Sequence, residues 1–109
     1  MRVLLTGATG FIGSAILRQL IRRGDTVRTL VRSTSDQRNL RDIDCEVFCG
    51  DINDLDSIKT AISDCQVLFH VAADYRLWAP NPDEITKTNV LGTQNIVNAA
   101  RTANIEKII

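Results

Sequence analysis

The sequence predicts an α/β protein built on a doubly wound parallel sheet with helices on both faces. Strand and helix patterns alternate along the chain, which is typical of a parallel sheet covered by helices. A glycine-rich turn joins the first strand to the first helix, and right-handed crossovers then wind the sheet in both directions. The 109 residues are enough for one domain, which we assign to residues 1–109.

The first strand and helix are the best defined elements. Arg2–Thr6 is a short apolar run that predicts a strand, and residues 11–23 have helical periodicity that ends at Gly24. The predicted apolar stripe of this helix contains Ile12, Ile16 and Leu20, with Phe11 and Ala15 beside it.

The middle of the chain continues the alternation. Thr26–Val31 is rich in β-branched residues and predicts the second strand, residues 32–40 are polar and predict a loop, and Glu46–Cys49 predicts the third strand. Asn53 or Asp54 can cap a helix that runs to about residue 63. Its inward residues are Leu55, Ile58 and Ile62.

The last part contains two strands and a long helix. We predict a strand at residues 67–71, a loop at 72–82, a helix at 83–103 and the start of a fifth strand at 106–109. The sequence stops there without a closing turn, so we expect a fragment of a longer protein. One face of the long helix carries Ile85, Asn89, Gly92, Ile96, Ala99 and Ala103.

Charge and hydropathy exclude several classes of partner. Thirteen basic and thirteen acidic side chains give zero formal net charge without a basic block, so we expect no nucleic-acid partner. The longest apolar runs are far shorter than the ~20 residues of a membrane span. The sequence also begins without a signal-peptide pattern, and we expect a cytoplasmic protein.

The three cysteines suggest packing residues rather than a disulfide or metal site. Cys45 directly precedes the predicted third strand and Cys49 ends it, and four extended residues span about 13 Å. A disulfide needs Cα atoms within about 7 Å. The spacing matches no common zinc pattern, so we expect no metal. We interpret these two and Cys65 as reduced, and leave a reactive thiol as the alternative.

The turn after the first strand predicts a nucleotide site. It runs Thr6-Gly7-Ala8-Thr9-Gly10-Phe11-Ile12-Gly13. We expect Gly7 to form a tight turn, Gly10 to admit a phosphate and Gly13 to let the helix pack closely. The amide groups and positive dipole end of the helix would then bind a dinucleotide pyrophosphate. The alternative is a glycine-rich turn that binds nothing.

Arg32, directly after the second strand, bears on cofactor choice. An acidic residue there would bind the ribose 2′-hydroxyl of NAD, whereas an arginine suits the 2′-phosphate of NADP. No acid appears before Asp36, so the sequence favours NADP, with NAD as the alternative. Arg28 and Arg38 are further candidates, and an ordinary solvated charge at Arg32 remains open.

Two more strand ends carry candidate cofactor contacts. The carboxylate of Asp51, or the adjacent backbone at Ile52, could hydrogen-bond adenine; a turn in which Asp51 bonds its own backbone is the alternative. At the end of the fourth strand, small residues let a flat ligand lie against the backbone. His70 there is interpreted as a packing residue rather than a general base. The cofactor candidates at this strand end are Val71, Ala72 and Ala73.

The long loop and the last helix supply the remaining candidates. A substrate wall is predicted at Asp74, Tyr75 and Trp78, although loop aromatics can also simply cover a helix. Asn89 lies on the apolar face of the long helix. It is either a structural amide or a residue that holds a water or backbone group in a proton relay.

Together these motifs resemble the extended short-chain dehydrogenase/reductase superfamily, which has a Rossmann fold and includes the NAD-dependent epimerases and dehydratases. The resemblance rests on the glycine turn, Gly50-Asp51-Ile52-Asn53-Asp54, His70-Val71-Ala72-Ala73 and Asn89-Val90-Leu91-Gly92-Thr93. Residues 69–78 resemble the dihydroflavonol reductase-like branch, in particular the hopanoid-associated sugar epimerases of bacteria.

This resemblance implies a nicotinamide cofactor and hydride transfer at a carbonyl or carbinol carbon. It also implies a catalytic Tyr and Lys separated by three residues, helped by Ser or Thr, beyond the fifth strand. The single tyrosine here, Tyr75, is followed four positions later by Ala79. Of the implied proton relay, only Asn89 is present.

We therefore expect the NAD(P)-binding part of an oxidoreductase or nucleotide-sugar epimerase. Its expected partners are a nicotinamide dinucleotide and, in the full protein, a small carbonyl or sugar substrate, with a homodimer left open. A non-catalytic dinucleotide-sensing module is the alternative. A structural α/β fragment that binds no nucleotide is a third interpretation.

Overall fold

The computed structural model describes residues 1–72 and 80–109. Its five strands are β1 (Arg2–Thr6), β2 (Thr26–Val31), β3 (Glu46–Cys49), β4 (Val67–His70) and β5 (Lys107–Ile108). They form one sheet in the order β3-β2-β1-β4-β5, and every neighbouring pair is parallel. The predicted fold class is confirmed.

Three helices cover the two faces of the sheet. They are α1 (Phe11–Arg22), α2 (Leu55–Ala61) and α3 (Pro82–Thr102), and a short 3-10 helix spans Arg38–Leu40. The α1 face contains a buried cluster of Val3, Leu5, Leu17, Leu20, Val27 and Val31. The opposite face buries Leu4, Leu30, Ile58, Ile62, Leu68 and Ile96 beneath α2 and α3. Alternate β1 side chains thus enter different cores, as expected for a central parallel strand.

The apolar stripe predicted for α1 is confirmed at Leu20, which is buried, and at Ile16, which packs against the α1-face cluster, but it is wrong at Ile12. Ile12 is 58% exposed and Phe11 is 92% exposed, whereas the buried residues are Gly13, Ser14, Leu17 and Leu20. A Cβ at Gly13 would overlap the Gly7 carbonyl. The helix contacts the turn at Gly13. The helix face that contains Gly13, Leu17 and Leu20 therefore packs on the sheet.

The α3 prediction needs smaller corrections. The helix begins at Pro82, which the sequence predicts as the last residue of the loop. Proline is well suited to the first helical position, so the helix includes it. The Asn81 side chain caps it by accepting from the Asp83 amide over 3.1 Å. Gly92, Ile96 and Ala99 are buried as predicted, whereas Ala103 is exposed because it lies at the helix end.

The middle of the chain differs in detail. The 3-10 helix Arg38–Leu40 interrupts the loop predicted at residues 32–40, because Leu40 is apolar and is buried against the α1 face. Asp54 is the cap of α2, its side chain accepting from the Asp56 amide over 3.1 Å. The inward positions predicted at Ile58 and Ile62 are confirmed.

Arg28 cannot assist Arg32, because it is buried and directed at the carboxyl end of α2. Its guanidinium donates to the carbonyls of Ala61 and Ser63, each over 2.7 Å, and to Glu46 over 3.2 Å. It also lies 4.5 Å from the ring centre of Phe48. A cation is favourable at the negative end of a helix dipole, so Arg28 has a structural role.

The three cysteines are free thiols with different surroundings. Cys65 is buried and Cys45 is half-buried, and burial raises the pKa of both thiols. Cys49 is exposed, so the prediction that all three are packing residues is wrong at this position. It lies on edge strand β3, which has a neighbour on one side only.

Residues 1–72 and 80–109 contain neither a candidate membrane span nor a candidate metal cluster. No helix in this part of the chain is long and apolar enough to cross a membrane. No group of three or more His, Cys, Asp or Glu side chains there is arranged to hold a metal ion.

Candidate functional site

The candidate site lies where the strands end, at the edge of the sheet where β1 separates β2 from β4. In a doubly wound sheet this reversal of strand order opens a crevice beyond the carboxyl ends of the strands. Residue pairing places Thr6 beside Leu30 on one side and His70 on the other. The segments that follow β1, β2, β3 and β4 therefore surround one crevice.

The glycine turn after β1 is closed by short contacts. Gly7 has φ of +79°, and a Cβ there would lie 2.6 Å from the Ala72 nitrogen. This backbone conformation and this space both require glycine. The Gly10 amide donates to the Gly7 carbonyl over 3.2 Å, and Gly13 rests on the same carbonyl.

Gly10 differs from the other two glycines of the turn. A Cβ there would meet only the Gly7 oxygen, at 3.5 Å, an ordinary van der Waals distance. Its outer side is otherwise open among the described residues. The three glycines have the structural roles that their spacing predicts: a tight turn, an open approach and a close helix contact.

Among the described residues, the amide groups in the first turn of α1 have no side-chain partner. Gly10 is the N-cap, no side chain caps the helix, and its first turn has no acidic residue. In contrast, α2 and α3 are capped by Asp54 and Asn81 and carry acidic residues in their first turns. The first amides of a helix lack intrahelical partners and carry partial positive charge. The arrangement at α1 suits an anion.

Thr6 fixes the backbone that faces the glycine turn. Its Oγ1 accepts hydrogen bonds from the amides of Val71 and Ala72, each over 3.1 Å. Gly7 packs against the same two residues. The end of β4 is thus tied to the end of β1.

His70 is bonded to the same threonine. Its Nδ1 lies 2.8 Å from Thr6 Oγ1. Burial lowers the pKa of His70. Both features agree with a neutral, hydrogen-bonded packing residue.

Arg32 is exposed immediately after β2, as the sequence predicts. Arg38 is also exposed, but its guanidinium pairs with the Asp36 carboxylate over 2.6 Å. The neighbouring Asn39 donates through Nδ2 to the Thr9 carbonyl over 2.8 Å. This bond ties the loop after β2 to the glycine turn. Among the described residues, Arg32 is the cation directly at the end of β2 and forms no ion pair; Arg41, farther along the loop, is likewise unpaired.

Asp51 and Ile52 form a fixed turn after β3. The Asp51 Oδ1 accepts from the Asn53 amide over 2.9 Å, which is the local backbone bond considered as an alternative. The Ile52 carbonyl accepts from Asn95 Nδ2 over 2.9 Å, and its side chain packs against Gly92. Both ends of the Ile52–Asn53 peptide are therefore held.

Some predicted residues are not brought into this arrangement. Ala73, Asp74, Tyr75 and Trp78 lie outside the described residues. Asn89 is half-buried on α3, one turn before Gly92, on the face predicted for it.

Comparison with known proteins identifies the family. The model of the NAD dependent epimerase/dehydratase family matches residues 3–109. The chain belongs to this family. The resemblance to the extended short-chain dehydrogenase/reductases is therefore confirmed.

Individual relatives and solved structures are similar to almost the whole of this chain. A Synechocystis sp. protein provisionally named dihydroflavonol 4-reductase is 42% identical over 105 residues, 96% of this chain and 30% of that protein. The crystal structure of gox2253 has a TM-score of 0.92 and 50% identity, covering 97% of this chain and 32% of that one. The structure of the UDP-glucose 4-epimerase of Thermus thermophilus in complex with NAD has a TM-score of 0.86 and 30% identity. The match covers 99% of this chain and 36% of that one. The chain spans about a third of each of these relatives.

The sequence analysis missed three residues that shape the site. Thr6 was included in the motif, but its bonds to β4 depend on strand pairing that the sequence does not display. Asn39 was part of a polar loop with no pattern. Asn95 left a detectable signal, because it shares a helical face with Gly92 and Ala99, where a buried amide requires a partner.

Proposed function

We propose that this chain is the dinucleotide-binding part of an NAD(P)-dependent oxidoreductase or nucleotide-sugar epimerase. The observation that carries the proposal is the glycine turn beneath the uncapped α1 helix. Gly10 is open on its outer side, and the first turn of α1 carries free amides without an acid. These groups fit a pyrophosphate, since they supply donors and positive potential without obstruction.

The remaining contacts of the proposed cofactor site follow from the edges of the crevice. Val71 and Ala72 supply a flat, small-residue wall beside the glycine turn, and Ala73 continues that segment in the sequence. Asp51 and Ile52 would hold adenine, with Thr9, Phe11 and Ile12 lining the turn. When bound, a nicotinamide ring accepts or donates hydride at a carbonyl or carbinol carbon of the substrate. The residues described here bind and orient the cofactor.

We propose NADP rather than NAD as the preferred cofactor. Arg32 is exposed after β2, whereas the nearby Asp36 carboxylate is occupied by Arg38. An unpaired arginine complements a 2′-phosphate, and its planar guanidinium binds phosphate in bidentate fashion. The NAD complex of the Thermus epimerase supports a nicotinamide dinucleotide as the class of ligand.

Other parts of the proposal rest on the resemblance. Asp74, Tyr75 and Trp78 are proposed substrate contacts, and Asn89 is proposed to hold a relay group. A small carbonyl compound or sugar is the proposed substrate of the complete protein, which we place in the cytoplasm.

Calorimetric titration with NADPH and NADH tests this function. Gly10→Val adds a branched side chain where the pyrophosphate would lie, and the Gly10 backbone (φ −81°, ψ 177°) accepts valine without strain. Loss of one charge-assisted bond costs about 1.5–3 kcal/mol, so affinity should fall at least about tenfold. Ala15→Val, on the exposed side of α1, is the matched control. Equal affinity in Gly10→Val and the parent chain would remove the proposed phosphate site.

A further inference from the structure

The turn after β3 is held by a helix more than forty positions away. Asn95 of α3 donates through Nδ2 to the Ile52 carbonyl over 2.9 Å. Asn95 is only 9% exposed. Loss of this bond would leave the buried side-chain amide and the carbonyl without a partner. The bond therefore constrains the position of the turn.

A second contact fixes the same residue from its side chain. A Cβ on Gly92 would lie 2.5 Å from Ile52 Cδ1 and 3.0 Å from Cγ1. The absence of a side chain at Gly92 therefore creates the space that Ile52 fills. Gly92 and Asn95 are three positions apart and share one helix face, so α3 holds Ile52 at both its side chain and its carbonyl.

The contact extends to the carboxylate of Asp51 through one peptide group. The carbonyl of the Ile52–Asn53 peptide accepts from Asn95, and the amide of the same peptide donates to Asp51 Oδ1 over 2.9 Å. A peptide group is planar and rotates as a unit. If Asn95 releases the carbonyl, the amide that orients Asp51 is free to turn away.

We propose that Asn95 is a positioning residue for recognition of the adenine ring, acting through the Ile52–Asn53 peptide to orient Asp51. This inference rests on the proposed function. The edge of adenine presents an amine donor beside a ring-nitrogen acceptor, which match a carboxylate and a backbone amide. Hypoxanthine reverses both groups, so a correctly oriented Asp51–Ile52 pair discriminates between the two bases.

The test compares affinity for NADPH with affinity for its nicotinamide hypoxanthine analogue. Asn95→Asp keeps the shape of the side chain but removes the donor. Asn98→Asp makes the same chemical change on the exposed side of α3 and is the matched control. Calorimetry on the 109-residue chain gives the affinity ratio of the two ligands, and thermal unfolding gives stability.

We expect Asn95→Asp to lower the adenine preference about five- to tenfold, as expected for one misaligned hydrogen bond, while Asn98→Asp leaves it unchanged. Gly92→Ala provides an independent variant if Asn95→Asp fails to fold. It should displace Ile52 and lower the same ratio. A purely structural role predicts lower stability with an unchanged ratio, and that result in both variants overturns the inference.

The behaviour of the parent chain separates the two proposals. A parent chain that binds both ligands equally overturns the role of Asp51, Ile52 and Asn95 in reading adenine, while the proposed function stands. A parent chain that binds neither ligand removes the proposed function and this inference with it.

Discussion

The hydroxyl of Thr6 is hydrogen-bonded to Nδ1 of His70 over 2.8 Å and thereby joins β1 to β4 at the mouth of the crevice. The same oxygen accepts from the amides of Val71 and Ala72. One side chain therefore binds both the histidine ring and the backbone of the chain beyond β4. The bond has two consequences that can be measured.

The first is the titration of His70. Burial lowers the pKa of this imidazole below the ordinary value of 6.5. Below about pH 6.5 the unfolded state binds a proton at this imidazole that the folded state does not yet bind. The free energy of unfolding therefore decreases as the pH falls below about 6.5, whereas above this pH the contribution is fully present. His70 is the single histidine of the sequence, so proton NMR reads its pKa without assignment. His70→Gln should remove this part of the pH dependence, and a pKa at or above 6.5 would contradict the account.

The second consequence concerns Thr6→Val, which keeps the shape of the side chain and removes the hydroxyl. The Ala72 amide loses its acceptor, whereas the Val71 amide keeps the Thr6 carbonyl at 3.3 Å. We therefore expect a loss of about 1–3 kcal/mol in the free energy of unfolding. We also expect weaker binding of the dinucleotide, because Val71 and Ala72 shift. Chemical denaturation and calorimetry measure the two effects.

Thr29→Val is the matched control for this change. Thr29 is also fully buried, but its hydroxyl donates to the Glu46 carbonyl over 3.1 Å, away from the crevice. The variant should lower the free energy of unfolding. It should leave the cofactor affinity of the folded protein unchanged. Equal effects of the two variants on affinity would show that Thr6 has no specific role at the site.

Local patterns predicted most of the fold. The β1, β2 and β3 bounds match the predicted ones because short apolar runs between glycines and polar segments have few alternatives. The orientation of α1 was not predictable in this way. Ile12 and Ile16 have the right periodicity, but the contact of Gly13 with the Gly7 carbonyl rotates the helix and leaves Ile12 exposed.

The candidate site was predictable only where its residues form a contiguous motif. The glycine turn meets this condition. In contrast, the bond from Asn95 to Ile52 joins residues 43 positions apart, and the pairing of Arg38 with Asp36 depends on the path of a polar loop. Such contacts arise from tertiary packing, so no local pattern predicts them.

Arg32→Ala tests the proposed cofactor choice. If Arg32 binds the 2′-phosphate, its loss should weaken NADP far more than NAD, because only NADP carries that group. A charged hydrogen bond contributes about 1.5–3 kcal/mol, so the preference should shift by roughly ten- to a hundredfold. Arg18→Ala removes an exposed cation from α1 and controls for net charge. Equal losses for both cofactors would show that Arg32 does not read the phosphate.

The final prediction is that the 109-residue chain binds a nicotinamide dinucleotide but shows no turnover. Reduction of a carbonyl requires a proton donor aligned with the developing alkoxide. A Tyr whose ionised form is favoured by a neighbouring Lys cation meets this requirement. The sequence has one tyrosine, Tyr75, and Ala79 occupies the position where the implied pair would have its lysine. An absorbance assay of NADPH oxidation with carbonyl substrates, run beside a complete reductase of the family, should therefore give no rate above background, while calorimetry on the same sample detects binding. The contrary result is turnover that persists after rigorous purification and is abolished by a single substitution in residues 1–72 or 80–109. That result would place the chemistry within these 109 residues.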